Sequence, residues 1–293
     1  MSAAPGHPQA RSHRSGKQEG TPGSADKNLL GSHTNRIVAI LVLLFLYLPI
    51  LTLVVLSFNA NDVTTIWSGF SVKWYADVMG NEAILRAARN SLVVATVATV
   101  LASVAATAAA LGVARSTNIH RTSVEGLFSL PLLVPEIVTA VALLILFVIV
   151  GVPLGLVSVV LAHTVFCIPF AYYPIKSRLA GLDPALIEAA SDLYAPPWRR
   201  FVRIEMPLLA PGIFAGALLA FISSLGDFVI SYFVSGPGST TLPVYIFGMI
   251  RTGVTPEVNA LSAVFLLASI GVITVAFVVA NRLNDGNRAG AGL

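Results

Sequence analysis

Charge is scarce in this sequence. Only 11% of its 293 residues are charged, whereas 56% are hydrophobic. A soluble globular domain carries about 25% charged residues. We therefore exclude a soluble domain and expect the lipid bilayer to be the main solvent of the chain. The formal net charge of +4 is compatible with Lys and Arg concentrated on one side of a membrane, so it does not indicate a nucleic-acid partner.

Cysteines and nucleotide-binding motifs are scarce as well. The single cysteine, Cys167, lies inside an apolar block, which excludes a disulfide framework and a cysteine metal site. His163 shares its helical face, but two such residues do not make a metal site, and packing is the favoured role. The segment "GPGSTT" at 236–241 lacks the lysine of a P-loop, and nothing else matches G-x-x-x-x-G-K-S/T. We predict no metal, no cofactor, no catalytic residue and no ATP site in this chain.

What the sequence does contain is a series of apolar blocks. Each has roughly the 20 residues that a helix needs to cross about 30 Å of hydrocarbon. The fold prediction is therefore an all-α integral membrane protein with six transmembrane helices within 37–281. Residues 1–36, rich in Gly, Pro, Ser and His, are predicted to form a disordered tail, and 282–293 a short second tail. The blocks are 37–57, 91–114, 127–150, 154–175, 208–234 and 258–280.

The distribution of Lys and Arg predicts the orientation. With the N-terminus inside, the inner segments hold 14 of these residues and the outer segments hold 4. Inner loops carry the excess of positive charge in membrane proteins. We therefore expect both termini to be cytoplasmic, with 58–90 and 235–257 as the two long outer loops. A secretory signal is the rival interpretation of the first block, but its 21 residues are too many for a signal's apolar core.

One inner segment, "DPALIEAASDLYAPPWRRFVRIEMP" at 183–207, is unusually polar. Asp183 followed by proline predicts a helix start. Glu188 and Asp192 are four residues apart, so their carboxylates project side by side from this helix. Prolines 196 and 197 should end it, and we expect a second short helix that stops at Pro207. The residues alone leave two roles open: a solvated interfacial loop, or a docking surface for a partner with basic groups.

The same segment resembles the cytoplasmic EAA loop of type I ABC-importer permease subunits. The family pattern is E-A-A, then D-L-G-A, an aromatic residue and a final L-P. The resemblance implies a coupling helix that sits in a groove of a separate ATP-binding subunit. Tyr194 stands where the pattern has glycine, and if this position needs a positive φ, tyrosine costs about 1 kcal/mol. The implied docking residues are Glu188, Ala189, Ala190, Asp192, Leu193, Tyr194 and Ala195.

The resemblance extends over about 37–281. "NSLVVATVATV" from Asn90 resembles the start of the permease core, and "FVISYFVSGPGSTTLPVYIFGMIRTGVTPEVNALSAV" at 228–264 resembles the end of the second permease of spermidine/putrescine importers. It implies half of a translocation pathway for a polyamine, in the bacterial inner membrane, working by alternating access. The implied partners are a dimeric ATP-binding subunit, a second permease, an extracytoplasmic substrate-binding protein and lipid. A different small solute, or an ion-coupled secondary carrier, are the alternatives.

Two acids inside the apolar blocks are candidate substrate-path residues, because an ionisable group in a membrane is costly without a function. Glu136 is expected near the cytoplasmic face, and a helix-start role is the alternative. Asp227 is expected near the outer mouth with Tyr232 and Phe233, where an acid and aromatics suit a polyamine. A helix-end carboxylate is the alternative for Asp227. The polyamine-type pattern has a second acid before Asp227, where this chain has Gly226.

Overall fold

The structure, a computed structural model, describes residues 33–114, 116 and 118–290. The tails predicted at 1–36 and 282–293 lie outside it except for 33–36 and 282–290, which are helical. Apart from one isolated bridge between Asn59 and Phe70, the described regular structure is helical. The helices are α1 His33–Leu56, α2 Lys73–Gly80, α3 Glu82–Ala114, α4 Asn118–Leu133, α5 Glu136–Val150, α6 Leu156–Ala180, α7 Pro184–Asp192, α8 Pro197–Arg200, α9 Met206–Gly226, α10 Val229–Val234, α11 Leu242–Thr252 and α12 Pro256–Gly290.

The described part of the chain has five helices that are long and apolar enough to cross a membrane, or six if the pair α4 and α5 forms one broken span. This pair bends by 109°, so the continuous helix predicted at 127–150 is wrong. Pro135 has no N–H to continue the hydrogen-bond ladder and disfavours helical geometry at Val134. The six-span prediction therefore agrees with the structure only when the bent pair is counted as one span.

The block predicted at 208–234 is also divided. α8, a π turn at Phe201–Glu205 and α9 follow one another without a break and are long enough to span as Pro197–Gly226. Pro207 therefore does not stop a short helix as expected. The N–H of Met206 bonds to the carbonyl of Phe201, five residues back, and this widened turn accommodates the following proline. The helix ends at Gly226 instead, where Asp227 takes an extended conformation before α10 begins.

Small residues let the central helices α3, α6 and α9 pack closely. A Cβ on Gly216 of α9 would lie 2.5 Å from the carbonyl oxygen of Ala171 in α6, so only glycine fits there. In lipid there is no hydrophobic driving force between helices, so van der Waals packing at such close contacts holds them together. The buried face of α3 is rich in alanine and includes Ala95, Ala98, Ala102, Ala106 and Ala110.

The two predicted outer loops, 58–90 and 235–257, pack against each other. The hydroxyl of Thr64 donates to the carbonyl of Val254 at 2.8 Å, and the side-chain amide of Asn90 donates to the carbonyls of Gly238 and Thr240, each at 3.0 Å. α2 and α11 cover a common apolar cluster. Its buried members are Val78, Ile84, Ala87, Leu242, Ala260 and Leu261.

Candidate functional site

Asp227 lies at the break between α9 and α10 and is only 5% exposed. Its Oδ1 accepts the N–H of Ile230 at 3.2 Å, and its Oδ2 accepts the N–H of Ser231 at 2.9 Å. The carboxylate therefore satisfies two free donors at the first turn of α10. This is the geometry of the helix-end alternative.

His163 of α6 contacts polar side chains on both sides of the same break. Its Nε2 lies 3.1 Å from Oδ2 of Asp227 and 2.9 Å from the hydroxyl of Ser231, and its Nδ1 lies 2.7 Å from the hydroxyl of Ser224. The imidazole is 1% exposed. Buried polar groups require partners of this kind. Cys167 also packs as expected, with its thiol 3.3 Å from the carbonyl of Ala220.

Glu136 is the first residue of α5, and its half-buried carboxyl group neighbours that of Asp227. The expectation that the two acids lie near opposite faces of the membrane is therefore wrong. The bend between α4 and α5 turns the start of α5 towards the α9–α10 break, and α5 then packs along α10 through Ala140, Leu143, Ile230 and Val234. The structure thus brings both predicted acids to one level of the helix bundle.

Aromatic rings follow Asp227 directly. The ring centroids of Phe228 and Phe247 are 4.5 Å apart, those of Phe228 and Tyr232 are 5.3 Å apart, and Tyr232 meets Phe233 edge-on at 5.8 Å. Tyr232 is 45% exposed. The predicted pair Tyr232 and Phe233 therefore belongs to a larger aromatic group that includes Phe228 and Phe247 of α11.

The sequence did not predict that His163 contacts Asp227, or that Phe247 belongs to the aromatic group beside Asp227. A signal existed for His163, because a histidine inside an apolar span is costly unless it has a polar partner. No signal existed for Phe247, which reaches the group only through tertiary packing of α11. Among the residues that the structure describes, no cluster of three or more His, Cys, Asp and Glu side chains is arranged to hold a metal ion.

The predicted helix start of the polar segment 183–207 is correct. Oδ1 of Asp183 accepts the N–H of Ala185 at 2.9 Å, which caps α7. At the other end, Tyr194 has φ +54°, and the N–H of Ala195 donates to the carbonyl of Ala190 at 3.1 Å. This is a Schellman ending, whose left-handed position normally holds glycine. The condition for strain at Tyr194 is therefore met, at a cost of about 1 kcal/mol.

The predicted docking residues divide into two groups by exposure. Ala190 is 6% exposed and faces the interior of the chain, and Ala195 is half-buried. Nε of Arg200 lies 3.4 Å from Oε1 of the buried Glu205, which ties α8 to the π turn. The exposed residues, which alone can form a surface, are Glu188, Ala189, Asp192, Leu193 and Tyr194.

Known proteins that are similar to this chain are membrane components of transport systems. Residues 98–288 match the family described as "Binding-protein-dependent transport system inner membrane component". The spermidine/putrescine transport system permease protein PotC of Escherichia coli K12 is 37% identical over 243 residues, covering 83% of this chain and 92% of that protein. The putrescine transport system permease protein PotI of the same strain is 39% identical over 244 residues, covering 81% and 86%.

A solved structure with a similar fold comes from a bacterial ABC transporter involved in the import of the acidic polysaccharide alginate. Its TM-score is 0.66 with 16% identity, covering 90% of this chain and 96% of that chain. The matched family is a membrane component and not a catalytic subunit. This chain belongs to the binding-protein-dependent transport system inner membrane components, as a multi-pass permease subunit of an ABC importer that is homologous to the spermidine/putrescine permeases.

Proposed function

We propose that this chain forms half of the pathway by which an ATP-driven importer carries a polyamine across the inner membrane. The observation that carries the proposal is the pair of neighbouring carboxyl groups, Glu136 and Asp227, at a helix break that continues into aromatic residues. A polyamine has ammonium groups on apolar stems, which carboxylates and aromatic faces can bind together. The printed names of the relatives, which refer to spermidine and putrescine, support the same class of solute.

Within this pair we assign direct contact with the cation to Glu136. Both oxygens of Asp227 are engaged by backbone N–H groups and by His163, and its side chain is 0% exposed. An ammonium group would have to displace these partners. Glu136 is half-buried and more accessible. Asp227 then acts as a support that holds the break in place, with Tyr232 and Phe233 farther along the path.

The exposed surfaces of the chain support the proposed partners. The exposed edge of α7 is the proposed docking site of a dimeric ATP-binding subunit, which this chain needs because it has no P-loop of its own. A second permease supplies the other half of the pathway, and the substrate-binding protein delivers the solute at the packed loops 58–90 and 235–257. The exposed apolar side chains of α3 and α12 face lipid or the second permease. Membership of the ABC family removes the alternative of an ion-coupled carrier.

Reconstitution of the assembled importer in vesicles tests the solute. We expect ATP-dependent uptake of labelled putrescine or spermidine that unlabelled polyamines suppress. The matched control is 1,4-butanediol, which has the same four-carbon stem as putrescine without charge and should not compete, because carboxylates select the ammonium groups. ATP hydrolysis that another solute stimulates, together with no uptake of either amine, would assign the chain to a different substrate.

The proposed cytoplasmic location of both termini has a separate test. If α4 and α5 together form one span, Ser68 lies outside and Ala185 inside; if the bent pair does not cross, Ala185 lies outside too. We expect an impermeant thiol reagent to label Ser68→Cys in intact cells and to label Ala185→Cys only after permeabilisation. Both changes are made in a Cys167→Ala background. Both positions are exposed in the structure. Labelling of Ala185→Cys but not of Ser68→Cys in intact cells would reverse the orientation, whereas labelling of both would mean that the bent pair does not cross.

A further inference from the structure

Tyr194 combines two features that rarely occur together. Its φ of +54° places a bulky side chain in a backbone region that glycine occupies without strain. With 94% of its surface exposed, the ring gains almost no packing within this chain that would offset the strain. A strained residue that contributes little to its own fold points to a function outside the fold.

Tyr194 is part of a larger exposed apolar surface. Leu193 is 82% exposed and Trp198 is 72% exposed, and the three residues flank the turn that joins α7 to α8. We call Leu193, Tyr194 and Trp198 the apolar tip. Tyrosine and tryptophan are the residues that most often anchor protein interfaces, because they bury much area at a small cost in conformational entropy.

The charges beside the apolar tip favour a protein over a membrane as its partner. Aromatic residues also bind at lipid headgroups, but Glu188 and Asp192 are exposed on α7 beside Leu193 and Tyr194, whereas the exposed Arg199 follows Trp198 on α8. An anionic cytoplasmic leaflet would repel these carboxylates. A groove with an apolar pocket and basic groups at its rim would accept both features together.

We propose that Tyr194 is an anchor that inserts into an apolar pocket of the ATP-binding subunit, with basic side chains of that subunit facing Glu188 and Asp192. This inference rests on the docking role proposed for α7. The binding energy of the anchor offsets the strain of the turn in the complex. Because the family pattern has glycine here, Tyr194 also makes the pairing selective: the matching ATP-binding subunit has room for an aromatic ring at this point.

The test compares Tyr194→Gly with Tyr194→Phe in the permease complex embedded in nanodiscs, with the purified ATP-binding subunit as the probe. Glycine relieves the strain, so thermal stability of the free permease should be unchanged or higher. Affinity for the ATP-binding subunit should nevertheless fall by about 10- to 30-fold, as for loss of a central aromatic anchor. Phenylalanine keeps the ring and should bind within about 3-fold of the natural chain, because only the hydroxyl is lost.

Tighter or unchanged binding by Tyr194→Gly would overturn the anchor. If this variant binds the subunit normally but binds less well to vesicles with anionic lipid, the tip is a membrane contact instead. Glu188→Lys, made in parallel, separates this inference from the docking proposal. Loss of binding in Glu188→Lys with normal binding in Tyr194→Gly removes only the anchor, whereas normal binding in both removes the docking site itself.

Discussion

Replacement of Glu136 by glutamine should lower uptake of a divalent or trivalent amine at limiting concentration by about 10- to 100-fold, which corresponds to the loss of one charge-assisted hydrogen bond. Glutamine keeps the size of the side chain and its place at the start of α5 but removes the charge. The defect should appear mainly as a higher concentration for half-maximal uptake. Basal ATP hydrolysis by the assembled complex should stay close to normal, because Glu136 neighbours Asp227, at the end of the helix Pro197–Gly226 that is opposite to the proposed docking segment 183–207. Uptake and ATP hydrolysis are measured side by side in vesicles.

Asp227→Asn is the matched comparison. Asparagine offers one carboxamide oxygen where the carboxylate offers two, so it cannot accept both N–H groups of α10 and also face His163 as a charged partner. We expect it to disturb the helix break and to lower uptake and substrate-stimulated ATP hydrolysis together. If Asp227→Asn alone changed the apparent affinity for the amine and Glu136→Gln transported normally, direct contact would belong to Asp227, as the sequence suggested.

Reversal of charge by Glu188→Lys should abolish ATP-driven uptake, to less than about 1% of the natural rate, because like charges brought together in an interface cost several kcal/mol. Glu188 is exposed on α7, so insertion and folding of the permease should be normal. The measurements are uptake, expression level and co-purification of the ATP-binding subunit. Glu188→Gln is the milder control and should retain part of the activity. Normal uptake at normal expression would make the segment an interfacial loop with solvated charges.

Much of the fold follows from composition and length alone. Twenty-residue apolar blocks with 11% charge overall have few stable arrangements other than membrane helices. The breaks within the helices are harder to predict. Hydropathy is averaged over a window of residues, and it does not change when the chain changes direction inside an apolar block. Proline is an ambiguous signal: Pro169, Pro174 and Pro211 lie inside helices, whereas Pro135 accompanies a 109° bend. Only packing decides which proline breaks its helix.

The residues of the candidate site could be predicted from the sequence, but their arrangement in space could not. Glu136 and Asp227 were recognisable because acids in apolar blocks are rare. Their contact was not, because it depends on the bend before α5 and on the end of α9 at Gly226. The start of the proposed docking segment was predicted more completely, since the cap at Asp183 and the left-handed position at Tyr194 depend on neighbouring residues. The helix end expected at Pro207 was wrong.

The close contact of Gly216 with Ala171 has a mechanical consequence for the helix Pro197–Gly226. At 1.5 Å per residue this helix is about 45 Å long, with about 28 Å on the docking side of Gly216 and about 15 Å on the side of Asp227. The backbone contact at Gly216 is the natural fulcrum, because no side chain separates the two helices there. Tilting about this point moves the two ends in opposite directions. A displacement imposed at α8 by ATP binding would reach Asp227 reversed in sign and reduced to roughly half its size, the ratio of the two lever arms.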